Sequence, residues 1–146
     1  YKKFVGILTE MRLEDTEIKD VTIGIGLNLN QEAVSEEIAE TATTLYLAAG
    51  EKVSRAAAAA CCWNHFEPDY EEYLEAGSLK PLLARYSSAL VNIGRKVRIL
   101  DPKGEYTGTA KAVTEGGELV VMPDDGGEDR CIGTGEISVR GVMGYV

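Results

Sequence analysis

The sequence predicts an α+β chain in two parts, a piece of mixed sheet with packed helices up to about residue 92 and then a small closed β-barrel. Three observations carry that expectation. Val21, Ile23, Ile25, Leu27 and Leu29 alternate with Thr22, Gly24, Gly26, Asn28 and Asn30, the period of a strand with one aliphatic face. Between residues 54 and 90 the apolar residues recur at helical steps. After residue 92, short apolar runs are divided by turns rich in Asp, Gly and Pro, and five short strands in so short a span favour closure over an open sheet.

Taken in order, Lys3 to Met11 is apolar on both faces and suits an interior strand. Arg12 to Asp20 is charged and aperiodic, so a hairpin connection is expected there. The strand Val21 to Asn30 follows, its aliphatic side expected to pack into a core. Ser35-Glu36-Glu37 suits a short helical turn, and Gly50 ends an element. Ser54 is placed to cap a helix through Ala56–Ala60, with Trp63 and Phe66 as packing bulk. Pro68 should break or kink that helix, Tyr70, Tyr73 and Leu74 share a face, and Gly77 is a good stop. Ser78 then caps a second helix whose Leu79, Leu82, Leu83, Tyr86 and Leu90 form an amphipathic stripe. The stripe from Tyr70 to Tyr86 reads as core. The strands expected beyond it are Lys96–Leu100, Tyr106–Val113, Glu118–Met122, Arg130–Ile132 and Glu136–Val139, with a domain boundary near residue 92.

Composition narrows the function. Twenty-four acidic against 15 basic side chains give a net charge of −9, with no Lys/Arg cluster, which argues against nucleic acid and against anionic membranes as partners. No apolar run approaches the length needed to span a bilayer, and no secretory leader is expected. The 3 cysteines are an odd number with two adjacent, Cys61 and Cys62, so no disulfide framework is legible and a reducing, cytoplasmic setting is expected. Cys61 and Cys62 are read as buried small hydrophobes, and the single histidine, His65, as a helix-surface or packing residue. Without a Cys-x-x-Cys pair, no structural zinc site is expected. A chain that opens at Tyr1 and runs straight into a strand is read as a piece of something longer.

The alternating glycines of the second strand need a reason, because each weakens a strand interior. Either helix or backbone packs flat against Gly24 and Gly26, or a ligand lies on them with Asn28 as a hydrogen-bonding post. A lysine such as Lys3 is by itself an ordinary surface charge. Glu136 and Arg140, four apart in an extended segment, point to one side and suit an exposed ion pair. Asp124, Asp125 and Asp129 read as solvated hairpin acids, and no metal ligand is named.

Lys3-Phe4-Val5-Gly6-Ile7-Leu8-Thr9-Glu10, Ile23-Gly24-Ile25-Gly26-Leu27-Asn28-Leu29-Asn30 and Gly135-Glu136-Ile137-Ser138-Val139-Arg140, in that order and at compatible spacing, resemble the biotin protein ligases. The entry Gly94-Arg95-Lys96-Val97 after an amphipathic helix is similar to the family's passage into its C-terminal domain. The resemblance implies the C-terminal part of a biotin/lipoate ligase-like catalytic domain over 1–92 and an SH3-like barrel over 93–146. It implies ATP and biotin as substrates, Mg2+ beside the phosphates, and a lysine of a carboxylase's biotin carboxyl carrier domain as acceptor. On the matched positions, Lys3 corresponds to the lysine that meets biotin carboxylate and phosphate. Gly6, Gly24, Gly26 and Asn28 correspond to the strands beside the adenylate, and Glu136 and Arg140 to residues reaching towards the nucleotide.

The family's Gly/Arg-rich loop has no counterpart in these residues, nor has a winged helix. A chain without that loop is expected to be inactive alone, with an open strand edge that favours self-association, a homodimer included. Two other readings stay open: a non-catalytic interaction module, and a lipoate-type ligase on the same architecture.

Overall fold

Alternation and turn chemistry place most of the strands where periodicity puts them. In the computed structural model, which describes residues 2–133 and 138–141, the elements run β1 (Val5–Glu14), β2 (Glu17–Leu27), a 3-10 turn (Glu36–Ile38), α1 (Leu45–Ala49), α2 (Arg55–Ala76), α3 (Leu83–Ala89), β3 (Lys96–Leu100), β4 (Tyr106–Val113), β5 (Leu119–Pro123), β6 (Arg130–Ile132) and β7 (Ser138–Gly141). The chain is α+β, and it divides into two compact units, Tyr1–Ala60 and Cys61–Val146. Among the described residues no helix is long and apolar enough to cross a membrane.

In the first unit β1 and β2 form an antiparallel ribbon with Val5 opposite Leu27, Gly6 opposite Gly26 and Leu8 opposite Gly24. The stretch expected to be a connection, Arg12 to Asp20, is instead mostly ladder. A bulge between Arg12 and Leu13 shifts the register, and only Asp15 and Thr16 turn, at φ 54° and 91°. Charge pairing across the strands explains the extension: Arg12 Nε donates to Asp20 at 2.8 Å and Lys19 sits 2.7 Å from Glu14. These pairs are exposed, so they set register more than they add stability. The aliphatic face of the ribbon departs from expectation as well. Ile7 is 68% and Ile25 38% exposed, and Met11, Val21 and Ile23 are exposed with them, so the described residues place no core against that wall.

Ser54 caps α2 as its sequence suggests: its hydroxyl accepts from Ala57 N at 3.3 Å. The helix then continues through Pro68 to Ala76, so of the expected break or kink it is the break that does not occur. Pro68 deprives the Asn64 carbonyl of its helical partner, but both residues are exposed and water can serve there. Side chains bridge the proline turn too, with Phe66 and Tyr70 stacked at 5.5 Å and Trp63 edge-on to Phe66 at 6.0 Å. Gly77 ends the helix at φ 65°.

The apolar residues of this helix are not core. Trp63 is 61% exposed, and Tyr70, Tyr73 and Leu74, with Tyr86 of α3, are exposed too. Cys61 is also exposed and Cys62 only half-buried, against the expectation of buried thiols. The second helix begins at Leu83, later than expected, because Leu79 N donates to Glu115 O at 2.9 Å and is taken up by the β4–β5 turn.

The sheet of the second unit has the order β6-β5-β4-β3-β7, antiparallel throughout. Its strands lie where the turn signals put them, to within two residues. The expected strand start at Glu136 lies outside the described residues, and no pairing among the described ones joins β6 to β7. Val97 and Ile99 alternate with exposed Lys96 and Arg98 and meet Ala110, Val121 and Ile132 in the core. Gly108 lets β5 approach: a Cβ there would lie 2.5 Å from Met122 O and 2.7 Å from Val121 Cγ1.

Outside the core, Asp124 accepts from Lys96 and from Thr107 Oγ at 2.8 Å, which holds its carboxyl below the usual carboxylate range.

Two outcomes follow. Gly108→Ala forces backbone apart in a packed sheet, and chemical denaturation should show a loss of about 1–3 kcal/mol or more. Replacing Asp15-Thr16 by Asn-Gly relieves two positive φ angles and should raise the ribbon's stability by about 1 kcal/mol, read as slower amide exchange of β1 and β2.

Candidate functional site

The two glycine-bearing strands meet at one end of the ribbon, and Gly6 faces Gly26 there. Neither Gly24 nor Gly26 owes its presence to the backbone. Neither has a positive φ, and a Cβ on either would meet only a carbonyl of the neighbouring strand, Leu8 O or Gly6 O, at an ordinary 3.7 Å. Of the two explanations for the glycines, close packing therefore finds no packed element among the described residues. At the Gly6–Gly26 pair a patch without side chains remains, with Leu8 standing opposite Gly24 on the same face.

Lys3 lies over its edge. A Cβ at Gly6 would be 3.9 Å from Lys3 Cε and 4.0 Å from its Nζ, so the lysine stem crosses beside the glycine pair. The Lys3 backbone is fixed from the other side: its N donates to Thr41 O at 2.8 Å, its O accepts from Thr43 N at 2.9 Å, and it forms a parallel bridge with Ala42. Asn28 continues the ladder, donating from N to Phe4 O at 2.7 Å and accepting at O from Leu45 N at 2.9 Å. Its side-chain amide has no partner among the described residues and is half-buried. Lys3, Gly6, Gly24, Gly26 and Asn28, all selected from sequence, are thus brought together at one end of one ribbon.

Asn30 is different. Its amide reads the backbone of Val53 in both directions, donating from Nδ2 to O at 2.8 Å and accepting at Oδ1 from N at 3.0 Å, a latch for the loop before α2. Beside it Lys52 bonds Glu32 at 2.7 Å, which lowers the Glu32 pKa and raises that of Lys52.

The residue that periodicity missed is Thr44. It is 1% exposed, donates to Gln31 O at 2.8 Å and accepts from Leu47 N at 3.1 Å, capping the short helix α1. The signal was present, a threonine before Leu45-Tyr46-Leu47 with Gly50 as stop, but five residues are too few to show helical period.

In the second unit Arg140 lies on β7 opposite Arg98 and lines a cavity of 290 Å3 with Leu90, Asn92, Val97 and Val139 among its walls. Glu136 lies outside the described residues. No three His, Cys, Asp or Glu side chains gather among the described residues. The hairpin acids are engaged elsewhere: Asp124 by Lys96 and Thr107, Asp125 by Arg130 at 3.2 Å and Asp129 by Lys111 at 2.7 Å. Among the described residues no set of side chains is gathered to hold a resident Mg2+.

Residues 93–140 match the family described as biotin protein ligase C terminal domain. Over 127 residues the chain is 35% identical to the bifunctional ligase/repressor BirA of Bacillus subtilis, a match that takes in 86% of this chain and 39% of that protein. The chain is a homologue of the biotin protein ligases. Its relative in Bacillus spizizenii, also a bifunctional ligase/repressor BirA, matches to the same degree, so the chain spans 39% of the length of these curated ligases.

Among solved structures, the biotin protein ligase of Aquifex aeolicus in complex with biotin and ATP superposes with a TM-score of 0.79 at 28% identity, over 96% of this chain and 56% of that one. The apo form of the Aquifex ligase gives a TM-score of 0.80 over 96% of this chain and 59% of its own.

The open glycine face makes a prediction of its own. Gly26→Ala adds a methyl group where only ordinary contacts wait, and it removes chain entropy from the unfolded state. Thermal unfolding should therefore show no loss and up to about 1 kcal/mol of gain. A drop in Tm would mean that the face is closely packed after all.

Proposed function

We propose that the chain, which spans 39% of the curated ligases' length and is inactive alone, forms part of an ATP-dependent biotin–protein ligase. In this reading that ligase forms biotinyl-5'-AMP and passes biotin to a lysine of a biotin carboxyl carrier domain. Residues 1–92 serve as the C-terminal part of the catalytic domain and 93–146 as its SH3-like C-terminal domain. The observation that carries the reading is the Lys3 ammonium beside the Gly6–Gly26 pair, at the end of the ribbon where the Asn28 amide has no partner among the described residues.

The chemistry asks for those groups. In the first step an oxygen of the biotin carboxylate attacks the α-phosphorus of ATP and pyrophosphate leaves. Two anions must approach, and a fixed positive charge at the point of attack offsets their repulsion. Lys3 supplies it: a compact charge on a flexible stem can follow the carboxylate as it becomes an anhydride. The glycine pair lets a planar ligand lie against backbone, while the Asn28 amide offers one donor and one acceptor to orient it. In the second step the amine of the carrier lysine attacks the anhydride carbonyl and AMP leaves.

Glu136 and Arg140 are assigned to the nucleotide on the resemblance to the family alone. Mg2+ is expected with ATP, and the described residues gather no ligand set of their own for it. The free thiols at Cys61, Cys62 and Cys131 suit a reducing compartment, and we place the protein in the cytoplasm.

The test is pyrophosphate exchange by the full-length protein. Lys3→Ala should lower adenylate formation by about a hundredfold and Asn28→Ala by about tenfold, with thermal unfolding unchanged. Full activity in both variants would overturn the site. Calorimetric titration of a non-hydrolysable biotinyl-adenylate analogue should show binding to the full-length protein and weakened binding to both variants.

A further inference from the structure

Resting on that reading, we infer that Thr44 is a positioning residue for the reaction, the centre of a clip that sets Lys3 against Asn28. The clip is the segment 41–46. Its first half holds Lys3 from both backbone directions, through Thr41 O at 2.8 Å and Thr43 N at 2.9 Å. Its second half holds the end of the other strand, with Leu45 N on Asn28 O at 2.9 Å and Tyr46 N on Leu29 O at 2.8 Å. Thr44 stands between the halves and is the buried polar residue of the described chain, 1% exposed. Both functions of its hydroxyl are spent: the proton goes to Gln31 O at 2.8 Å, and a lone pair takes Leu47 N at 3.1 Å.

The arrangement does more than cap a helix. A cap needs only the bond to Leu47 N; the bond to Gln31 O ties the same residue to the loop that leaves Asn28. Displacing Thr44 shifts both halves of the clip at once, and with them the distance between the ammonium of Lys3 and the amide of Asn28. Such a displacement acts on the alignment of charge with the reacting phosphate, and alignment shows in kcat before it shows in substrate affinity.

The test uses the full-length protein, pyrophosphate exchange and variants of Thr44 and Lys3. Thr44→Val keeps the shape and removes the hydroxyl, and it should lower kcat about tenfold with KM for biotin and ATP changed by less than about threefold, at a temperature where the variant is folded. Thr44→Ser restores the hydroxyl and should return kcat to within about twofold. Where Thr44→Val does not fold, Thr44→Ala carries the same measurement, because the space it opens lets water bridge Gln31 O and Leu47 N.

Because Thr44 sets Lys3 against Asn28, Thr44→Val should cost less activity in a Lys3→Ala background than it does with Lys3 present. Additive losses, or a lowered Tm with kcat per folded molecule intact, would overturn the inference and leave Thr44 a structural cap. An active Lys3→Ala would instead overturn the ligase site itself, whatever Thr44→Val does.

Discussion

A two-stranded ribbon in water is a poor instrument for holding side chains in place, because its ladder is marginally stable and both faces meet solvent. The β1–β2 pair is such a ribbon: both faces are largely exposed and its aliphatic side is uncovered. What fixes its working end is a strip of backbone from Thr41 to Tyr46, pinned by a single buried hydroxyl. The ladder sets which residues are opposite, and the strip sets where their ends stop moving. Lys3 precedes the first strand and Asn28 follows the second, so each would fray without that backbone partner. The candidate site depends on this constraint, and its glycines matter only while its ends are held.

The second unit solves a different problem with ordinary means. Its sheet buries a small aliphatic set, Val97, Ile99, Ala110, Val121 and Ile132, and surrounds it with cross-strand charge pairs. A core that small tolerates little misfit, which is why Gly108 matters there. Val139 and Arg140 sit on the strand that completes the sheet beside β3, so the segment carrying the family resemblance is also part of the framework.

Much of this was legible in the residues, and the parts that were not have physical reasons. The strands after residue 92 are written in turn chemistry, which acts over four residues and needs no distant partner, and their positions agree closely. The glycine strand announced itself by period two, and it brought Gly24, Gly26 and Asn28 to the site. Arg12 to Asp20 was opaque because its ladder is held by charges across the ribbon rather than by alternating apolar residues. Pro68 does not break its helix because the rule against helix-interior proline describes an isolated bond, whereas this helix carries aromatic contacts across the gap. The exposure of Tyr70, Tyr73 and Cys61 was unreadable for a deeper reason: apolar character records what a residue tolerates, and only a neighbour decides whether it is covered. Thr44 was missed because a cap on a five-residue helix has no periodic signal to sit beside.

The tight turn at Asp15 and Thr16 has one more consequence. Eight residues of strand, Ile7 to Glu14, separate it from Gly6, roughly 30 Å at the rise of extended chain. Its backbone faces solvent, and the bulge at Arg12 and Leu13 already interrupts the ladder behind it. The tip is therefore mechanically decoupled from the glycine pair, a permissive point at which an epitope, a fluorophore or a surface tether can be spliced into the chain while Lys3 and Asn28 stay in register.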